Sequence, residues 1–217
     1  MERSKDIGHM RTSYNKGVLA PEDVGNNPWK FFQLWFEEAQ QDPHIKEANA
    51  MSICTLGTNG FPQSRIVLLK EFSPRGFIFY TNYESKKGKS IAQHAQVSLS
   101  FFWPSLERQV HIDGVASRLD ENTSTRYFQS RPKGSQLGAW ASNQSQVLQN
   151  RSILTDRLKA LEDQYKNKEV LPKPDFWGGY RVVAQRFEFW QGRPNRLHDR
   201  VELLLLEDTW KAQRLSP

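Results

Sequence analysis

Between residues 50 and 118 the chain alternates short apolar segments with tight-turn signals, and this succession restricts its fold more than any other feature. Residues 50–57 form an apolar run that ends at Thr58-Asn59-Gly60. Asn-Gly is the strongest short-range hairpin signal, because both residues tolerate the positive φ of a tight hairpin turn. The return strand is expected over 63–72, Ser73-Pro74-Arg75-Gly76 as a second turn, and a third strand over 77–81. Val97, Leu99, Phe101 and Trp103 then alternate with Ser98, Ser100 and Phe102, the two-residue period of a strand. Residues 108–118 continue as a strand, with Gly114 as the expected site of a bulge. Strands joined by turns this short pair antiparallel, since a parallel crossover needs a dozen or more residues. No Gly-rich turn follows the first strand, which argues against a dinucleotide-binding unit. The expectation is a mainly β fold with peripheral helices (α+β), a closed or split β-barrel.

The helices are read from caps and periodicity. Asn27-Pro28 is a plausible cap with proline at the first helical position, and Phe31, Phe32, Trp35, Phe36 and Ala39 recur at helical spacing, so 28–41 is helical. A short helix is expected over 85–94, another over 120–130, and a longer one over 145–165 with Leu154, Leu158, Leu161 and Tyr165 on one face. Beyond Pro172 and Pro174, strands are expected at 180–190, 201–206 and 209–215. Residues 1–25 are polar and read as a mobile arm, which leaves 26–217 as a single domain.

The 13 Phe, 7 Trp and 6 Tyr supply a sizeable core, unlike a disordered chain. No apolar run approaches the ~18 residues of a membrane span, and no apolar segment follows the charged start, so a cytoplasmic location is expected. The single Cys54 excludes internal disulfides and cysteine-rich metal sites. Histidines 9, 44, 94, 111 and 198 lack metal-ligand spacing, so no metal is expected. Thirty basic residues against 24 acidic give +6 and a pI near 9.4. An anionic partner is implied, but the longest basic cluster is only Lys86-Lys87-Gly88-Lys89. Basic residues otherwise lie singly among apolar ones, which favours discrete phosphate pockets over a nucleic acid or membrane surface.

Four segments concentrate polar groups in apolar surroundings. Arg65 and Lys70 stand at opposite ends and on opposite faces of the strand Arg65-Ile66-Val67-Leu68-Leu69-Lys70, suited to gripping two anions or to solvated strand ends. Tyr80-Thr81-Asn82 leads into Ser85-Lys86-Lys87, where a capped helix start and two lysines could hold a phosphate or form an ordinary charged first turn. Tyr127 and Arg131, four apart on one helix face, converge with Ser135 in a manner suited to a phosphate monoester or a solvated helix end. Close by, Gln144-Ser145 stands where the long helix should start, with Ser145 as a competing N-cap. Densest is Glu188-Phe189-Trp190-Gln191-Gly192 followed by Arg196-Leu197-His198-Asp199-Arg200. Residue types alone stop at a small-molecule phosphate site on a β-barrel.

That last pair of segments closely resembles the C-terminal signature of pyridoxine/pyridoxamine 5′-phosphate oxidases. The resemblance extends through Arg11-Thr12-Ser13-Tyr14, Arg65 to Lys70, Phe79-Tyr80-Thr81-Asn82, Leu106-Glu107-Arg108-Gln109, Ser130-Arg131-Pro132, Ser135-Gln136, Phe176-Trp177-Gly178-Gly179 and Arg214-Leu215-Ser216-Pro217. It implies an FMN-binding split barrel, used as a homodimer with FMN in the interface. Its implied activity is oxidation of pyridoxamine and pyridoxine 5′-phosphate to pyridoxal 5′-phosphate, with hydride passing from C4′ to flavin N5 and O2 reoxidising the flavin to give hydrogen peroxide. Arg65, Lys86 and Lys87 would hold the flavin phosphate, and Ile66, Val67, Leu68, Leu69, Lys70, Tyr80, Thr81 and Gln109 would frame the flavin. Gln144, Ser145, Trp190 and Arg200 would come from the partner subunit. Lys70, Tyr127, Arg131 and Ser135 would bind the substrate phosphate, with Arg196, Leu197 and His198 over the pyridine ring and Arg11 and Tyr14 closing the arm. Arg196 and His198 are the expected catalytic residues. Lys86 stands where the family commonly has arginine, so a point charge replaces a bidentate fork.

Overall fold

A computed structural model describes residues 5–217. Among these residues nine strands and six α-helices alternate with two short 3₁₀ turns. The strand order is β2-β1-β5-β6-β7-β4-β3, with β8 paired to β7 and β9 to β8. These strands are β1 (Ala50–Leu56), β2 (Pro62–Leu68), β3 (Glu71–Ser73), β4 (Gly76–Asn82), β5 (Gln96–Trp103), β6 (Arg108–Arg118), β7 (Trp177–Gln191), β8 (Asp199–Leu206) and β9 (Thr209–Leu215). The chain forms two compact units, and β5, β6 and β7 each run from one into the other along the sequence.

The first unit comprises the chain through Ala48, Phe101–His111 and Arg186–Pro217. Its helix α1 (Pro21–Val24) is short, whereas α2 (Pro28–Gln41) has the expected bounds. The side chain of Asn27 accepts the N–H of Lys30 at 3.1 Å and satisfies one of the free donors of the first turn of α2. The apolar face of α2 then buries an aromatic core. Phe31 meets Phe189 edge-on at 4.9 Å, Trp35 meets the same ring at 5.5 Å, and Phe32 meets Phe101 at 5.2 Å. Strand β8 lies between the second half of β7 and β9, in register from Gln191↔Asp199 and from Arg200↔Leu215.

The second unit holds Asn49–Ser100 and Ile112–Gln185. Here β1 pairs with β2 from Ala50↔Leu68 to Leu56↔Pro62 and with β5 on its other side. Strand β4 pairs with the first half of β7, from Phe77↔Val182 to Asn82↔Trp177. Helices α3 (Lys86–Gln93), α4 (Glu121–Ser130), α5 (Lys133–Ala141) and α6 (Ser152–Gln164) complete it. Ser85 and Asp120 cap α3 and α4 by accepting the N–H groups of Gly88 and Thr123. Phe128, Leu137, Tyr165, Leu171 and Trp177 form a core against which Leu158 and Leu161 of α6 pack.

Three expectations need correction, and one helix is additional. The strand expected over 63–72 is broken: Leu69 donates to the carbonyl of Asn49, and Lys70 donates to that of Ile78. The chain changes partner between two consecutive residues, so Lys70 leaves the alternation that would have set it opposite Arg65. Helix 145–165 starts only at Ser152, because Ser145 has φ +71° and the Asn150 side chain accepts the N–H of Ile153. Helix α5 was not foreseen, since Gly134, Gly138 and a capless start after Pro132 weaken the local signal, and burial of Leu137 and Ala141 supplies what propensity lacks. Burial alternates without a break through Gly114, so the bulge is absent. Glycine is required there for another reason: a Cβ would lie 2.4 Å from the carbonyl oxygen of Val183.

Candidate active site

The candidate residues fall into two sets, one in each unit. In the second unit Ser85 follows the turn after β4 and caps α3, which carries Lys87 inward while Lys86 stays exposed. The Lys87 ammonium donates to Gln144 Oε1 at 2.7 Å, Thr81 Oγ1 at 3.0 Å and Ser85 Oγ at 3.4 Å. Within the chain, Gln144 thus supplies the nearest acceptor to the buried ammonium. Arg65 lies nearby, its Nη1 donating to Thr55 Oγ1 at 2.7 Å and to the Gln63 carbonyl at 2.9 Å. Burial, reinforced by the Arg65 charge, pulls the Lys87 pKa down to about 8. Burial also lowers that of Arg65. Neither cation has an ion-pair partner among the described residues. A buried and a half-buried cation side by side without a carboxylate form a donor set for a phosphate. Flanking them, Ile66 is exposed, Val67 and Leu68 half-buried and Leu69 buried.

The second cluster of this unit is aromatic. Tyr80 and Tyr127 stack at 3.8 Å, and Tyr80 stacks on Trp177 at 5.5 Å. Burial, with Tyr127 as the next contributor, pushes the Tyr80 phenol up to about 12. Arg131 is not within α4 as expected; it ends the helix with extended backbone, and its guanidinium lies 4.8 Å over the Trp177 ring. Its Nη1 is buried with no hydrogen-bond partner among the described residues, which marks it as a donor left unsatisfied within the chain. Ser135 follows in the first turn of α5, its N–H bound to the Pro132 carbonyl. Lys70 is exposed.

In the first unit the arm and the turn after β7 line an open cavity of about 780 Å³, bordered by Met10 to Tyr14, Arg193, Asn195, Arg196 and His198. Trp190 and His198 lie 4.6 Å apart, and Tyr14 packs 5.9 Å from each ring. Gly192 permits this: a Cβ there would sit 2.8 Å from the Tyr14 ring. His198 Nδ1 accepts the N–H of Arg193 at 3.1 Å, so the neutral ring keeps its proton on Nε2. Burial, helped by the Arg196 charge, holds His198 below its ordinary 6.5. Asn195 and Arg196 both adopt left-handed backbone, φ +56° and +63°, a strained pairing of the kind that persists at functional turns. Arg196 and Leu197 are exposed, and Arg11 folds back to donate to the Gly8 carbonyl. Gln109 is half-buried on β6. Arg200 is committed to Glu188, with Nε donating to Oε1 at 2.7 Å.

Sequence reasoning gave no task to Trp177, Arg193, Glu107 or Glu188, although Glu188 opens its densest segment. The first and the last two stand inside the motifs quoted above, but residue type alone assigns them no task. Among the described residues no cluster of His, Cys, Asp or Glu could hold a metal ion, and no helix is long and apolar enough to cross a membrane.

The fold is that of split-barrel proteins. The chain superposes on PhzG from Burkholderia lata, in complex with tetrahydrophenazine-1-carboxylic acid, with a TM-score of 0.85 and 27% identity, covering 95% of this chain and 100% of that one. A pyridoxamine 5′-phosphate oxidase-related, FMN binding protein of Nostoc punctiforme shares the fold at a TM-score of 0.69 and 14% identity, with 89% of this chain and 100% of that one covered. Residues 36–165 match the family model for pyridoxamine 5′-phosphate oxidase, and 177–217 match the pyridoxine 5′-phosphate oxidase C-terminal dimerisation region. Pyridoxine/pyridoxamine 5′-phosphate oxidase of Flavobacterium psychrophilum is 50% identical over 214 residues, covering 98% of this chain and all of the relative. That of Synechocystis is 46% identical over 211 residues, covering 97% and 98%. The chain belongs to the pyridoxamine 5′-phosphate oxidase family.

Proposed function

We propose that the chain is an FMN-dependent oxidase that converts pyridoxamine and pyridoxine 5′-phosphate to pyridoxal 5′-phosphate, working as a homodimer with the flavin at the subunit interface. The observation that carries this reading is the buried Lys87 beside the half-buried Arg65 with no carboxylate to answer either, in a chain half identical to an oxidase of that name. Bound flavin supplies hydride acceptance from the substrate's C4′ at N5 and return of the electrons to O2 as hydrogen peroxide.

The residues of this chain bind and orient. Lys87 and Arg65, with Lys86 at the rim, would hold the flavin phosphate, and the segment from Ile66 to Lys70 with Tyr80, Thr81 and Gln109 would frame the ring. Arg131 offers its vacant Nη1 to the substrate phosphate, with Tyr127, Ser135 and Lys70 as companions. Arg196, Leu197 and His198 lie along the pyridine ring and turn C4′ toward the flavin, which is a positioning contribution. Because Arg193 occupies Nδ1, His198 presents its Nε2–H as a donor to a substrate oxygen. Gln144, Ser145, Trp190 and Arg200 of the partner subunit would complete the flavin site, and Glu188 neutralises much of the Arg200 charge. Tyr14 and Arg11 cover the substrate.

An absorption spectrum tests the reading. Flavin bands that bleach anaerobically with pyridoxamine 5′-phosphate and return with air would support both half-reactions. A protein that cannot take up added FMN would sink it.

A further inference from the structure

We propose that Glu107 is a positioning residue for the substrate-covering arm: its carboxylate fixes Tyr14 against the turn that carries Arg196 and His198. The inference rests on the reading of that arm given under the proposed function. Glu107 ends the 3₁₀ turn Pro104–Leu106 and is 6% exposed. Its Oε2 accepts the N–H of Asn15 at 2.8 Å and that of Lys16 at 2.9 Å. Its own carbonyl accepts the N–H of Gly192 at 2.7 Å and Nε2 of Gln191 at 3.2 Å. One residue therefore holds the arm on one side and the Gly192 turn on the other, with Tyr14 between them.

The chemistry makes this an anchor rather than a passing contact. A buried carboxylate is costly unless it is hydrogen-bonded, and this one has no ion-pair partner among the described residues. Its side-chain partners are two backbone amides of the arm, so the arm's docking and the burial of the charge depend on each other. Glu107 holds a left-handed backbone, φ 54° and ψ 39°, which disfavours any side chain. Downstream the arm is tied again, with Arg193 Nη1 donating to the Gly17 carbonyl at 2.8 Å and Leu19 N–H donating to Asp199 Oδ2 at 3.1 Å. Upstream the pattern stops. Residues 5–13 are exposed, and among the described residues their hydrogen bonds run within the segment, from Gly8 to Asp6, Met10 to Ile7 and Arg11 to Gly8. The boundary between tied and free chain falls at Tyr14, so the arm moves about Tyr14 and Glu107 sets the pivot.

Two variants separate side chain from backbone. Glu107→Gly removes the carboxylate while suiting the left-handed conformation, and Glu107→Gln keeps one acceptor oxygen. Limited tryptic digestion without substrate reads the anchor directly. Native protein should be cut after Arg11 and resist cutting after Lys16, whose N–H is bound to Glu107 and whose ammonium is bound to the Ser105 carbonyl. In Glu107→Gly, cleavage after Lys16 should rise at least tenfold relative to cleavage after Arg11, with Glu107→Gln between. KM for pyridoxamine 5′-phosphate should rise roughly tenfold, more than any change in kcat, as when about one hydrogen bond to a charged group is lost. Digestion needs no turnover, so it judges the anchor even where the oxidase reading fails. Unchanged protection of Lys16 in a Glu107→Gly protein of native circular dichroism overturns the anchor. Released cleavage with an unchanged KM overturns the positioning role.

Discussion

Lys87 lies buried beside Arg65 with no carboxylate answering either charge, so methionine in its place should help the flavin-free fold and harm flavin binding. The magnitude follows from the pKa. A fall from 10.5 to about 8 is ~2.5 units, or at most ~3.4 kcal/mol against the charged form at 1.36 kcal/mol per unit. Water still reaches part of the group, and Thr81 and Gln144 lose a donor, so the net gain at pH 7 is discounted to ~1 kcal/mol. That gain raises Tm by roughly 2–4 °C for a chain of this size. The sign with pH is set by proton counting. Between about 8 and 10.5 the unfolded chain binds a proton that the folded chain has released, so native stability rises through that window. Below it the full penalty remains. Lys87→Met should not show this rise. Thermal melts of flavin-free native and variant protein at pH 7 and pH 10, at equal protein concentration, measure both effects. FMN affinity by fluorescence quenching should fall about 10- to 150-fold, the loss of a charged hydrogen bond. A variant that melts below the native protein at pH 7, with FMN affinity unaltered, would refute both the buried-charge argument and the phosphate assignment.

Three further substitutions probe other parts of the molecule. Arg196→Gly should melt no lower than the native protein, since glycine relieves φ +63°, yet lose about 30- to 150-fold in kcat/KM with pyridoxamine 5′-phosphate; wild-type kinetics would remove Arg196 from the site. Arg131→Met should raise KM for the phosphate ester about 30-fold without lowering stability, because an unpaired buried Nη1 disappears, and a peroxide-coupled assay beside a urea titration reads both. Phe32→Ala, at a fully buried ring among Phe36, Phe101 and Trp103, should cost ~3–5 kcal/mol in urea unfolding, and a loss under ~1 kcal/mol would mean that the surrounding rings close the cavity.

What could be read from sequence divides along the range of the interactions. Helix 28–41 and strands 108–118 and 209–215 have the expected bounds because their signals are local: a cap, an apolar period, a turn. The end of β2 was not legible, since it depends on Leu69 and Lys70 finding carbonyls on different partners. Helix α5 likewise needs the core that receives Leu137, and its own residues argue against it. The site repeats the pattern. Lys87 and its capping Ser85 are two residues apart and were visible together, whereas Glu107 meets Asn15 across 92 positions and Trp177 meets Tyr80 from a distant strand. Residue type marked the cations, and only the folded chain reveals which of them stand unanswered.

The register of β7 bears on how this protein can be taken apart. The two family descriptions meet between residues 165 and 177, an inviting place to divide a gene. Yet the opening stretch of β7 is the neighbour of β4, with Phe77 opposite Val182 and Asn82 opposite Trp177, while its closing stretch pairs with β8. A fragment ending at 165 would leave β4 with an open edge, and the complementary piece would carry half a strand with nothing to lie against. Such an edge also stays bare during synthesis until β7 emerges, Trp177 lying 95 positions after its partner Asn82 (177 − 82). Expression of either half by itself should therefore give aggregation-prone material, and complementation would need both pieces made together.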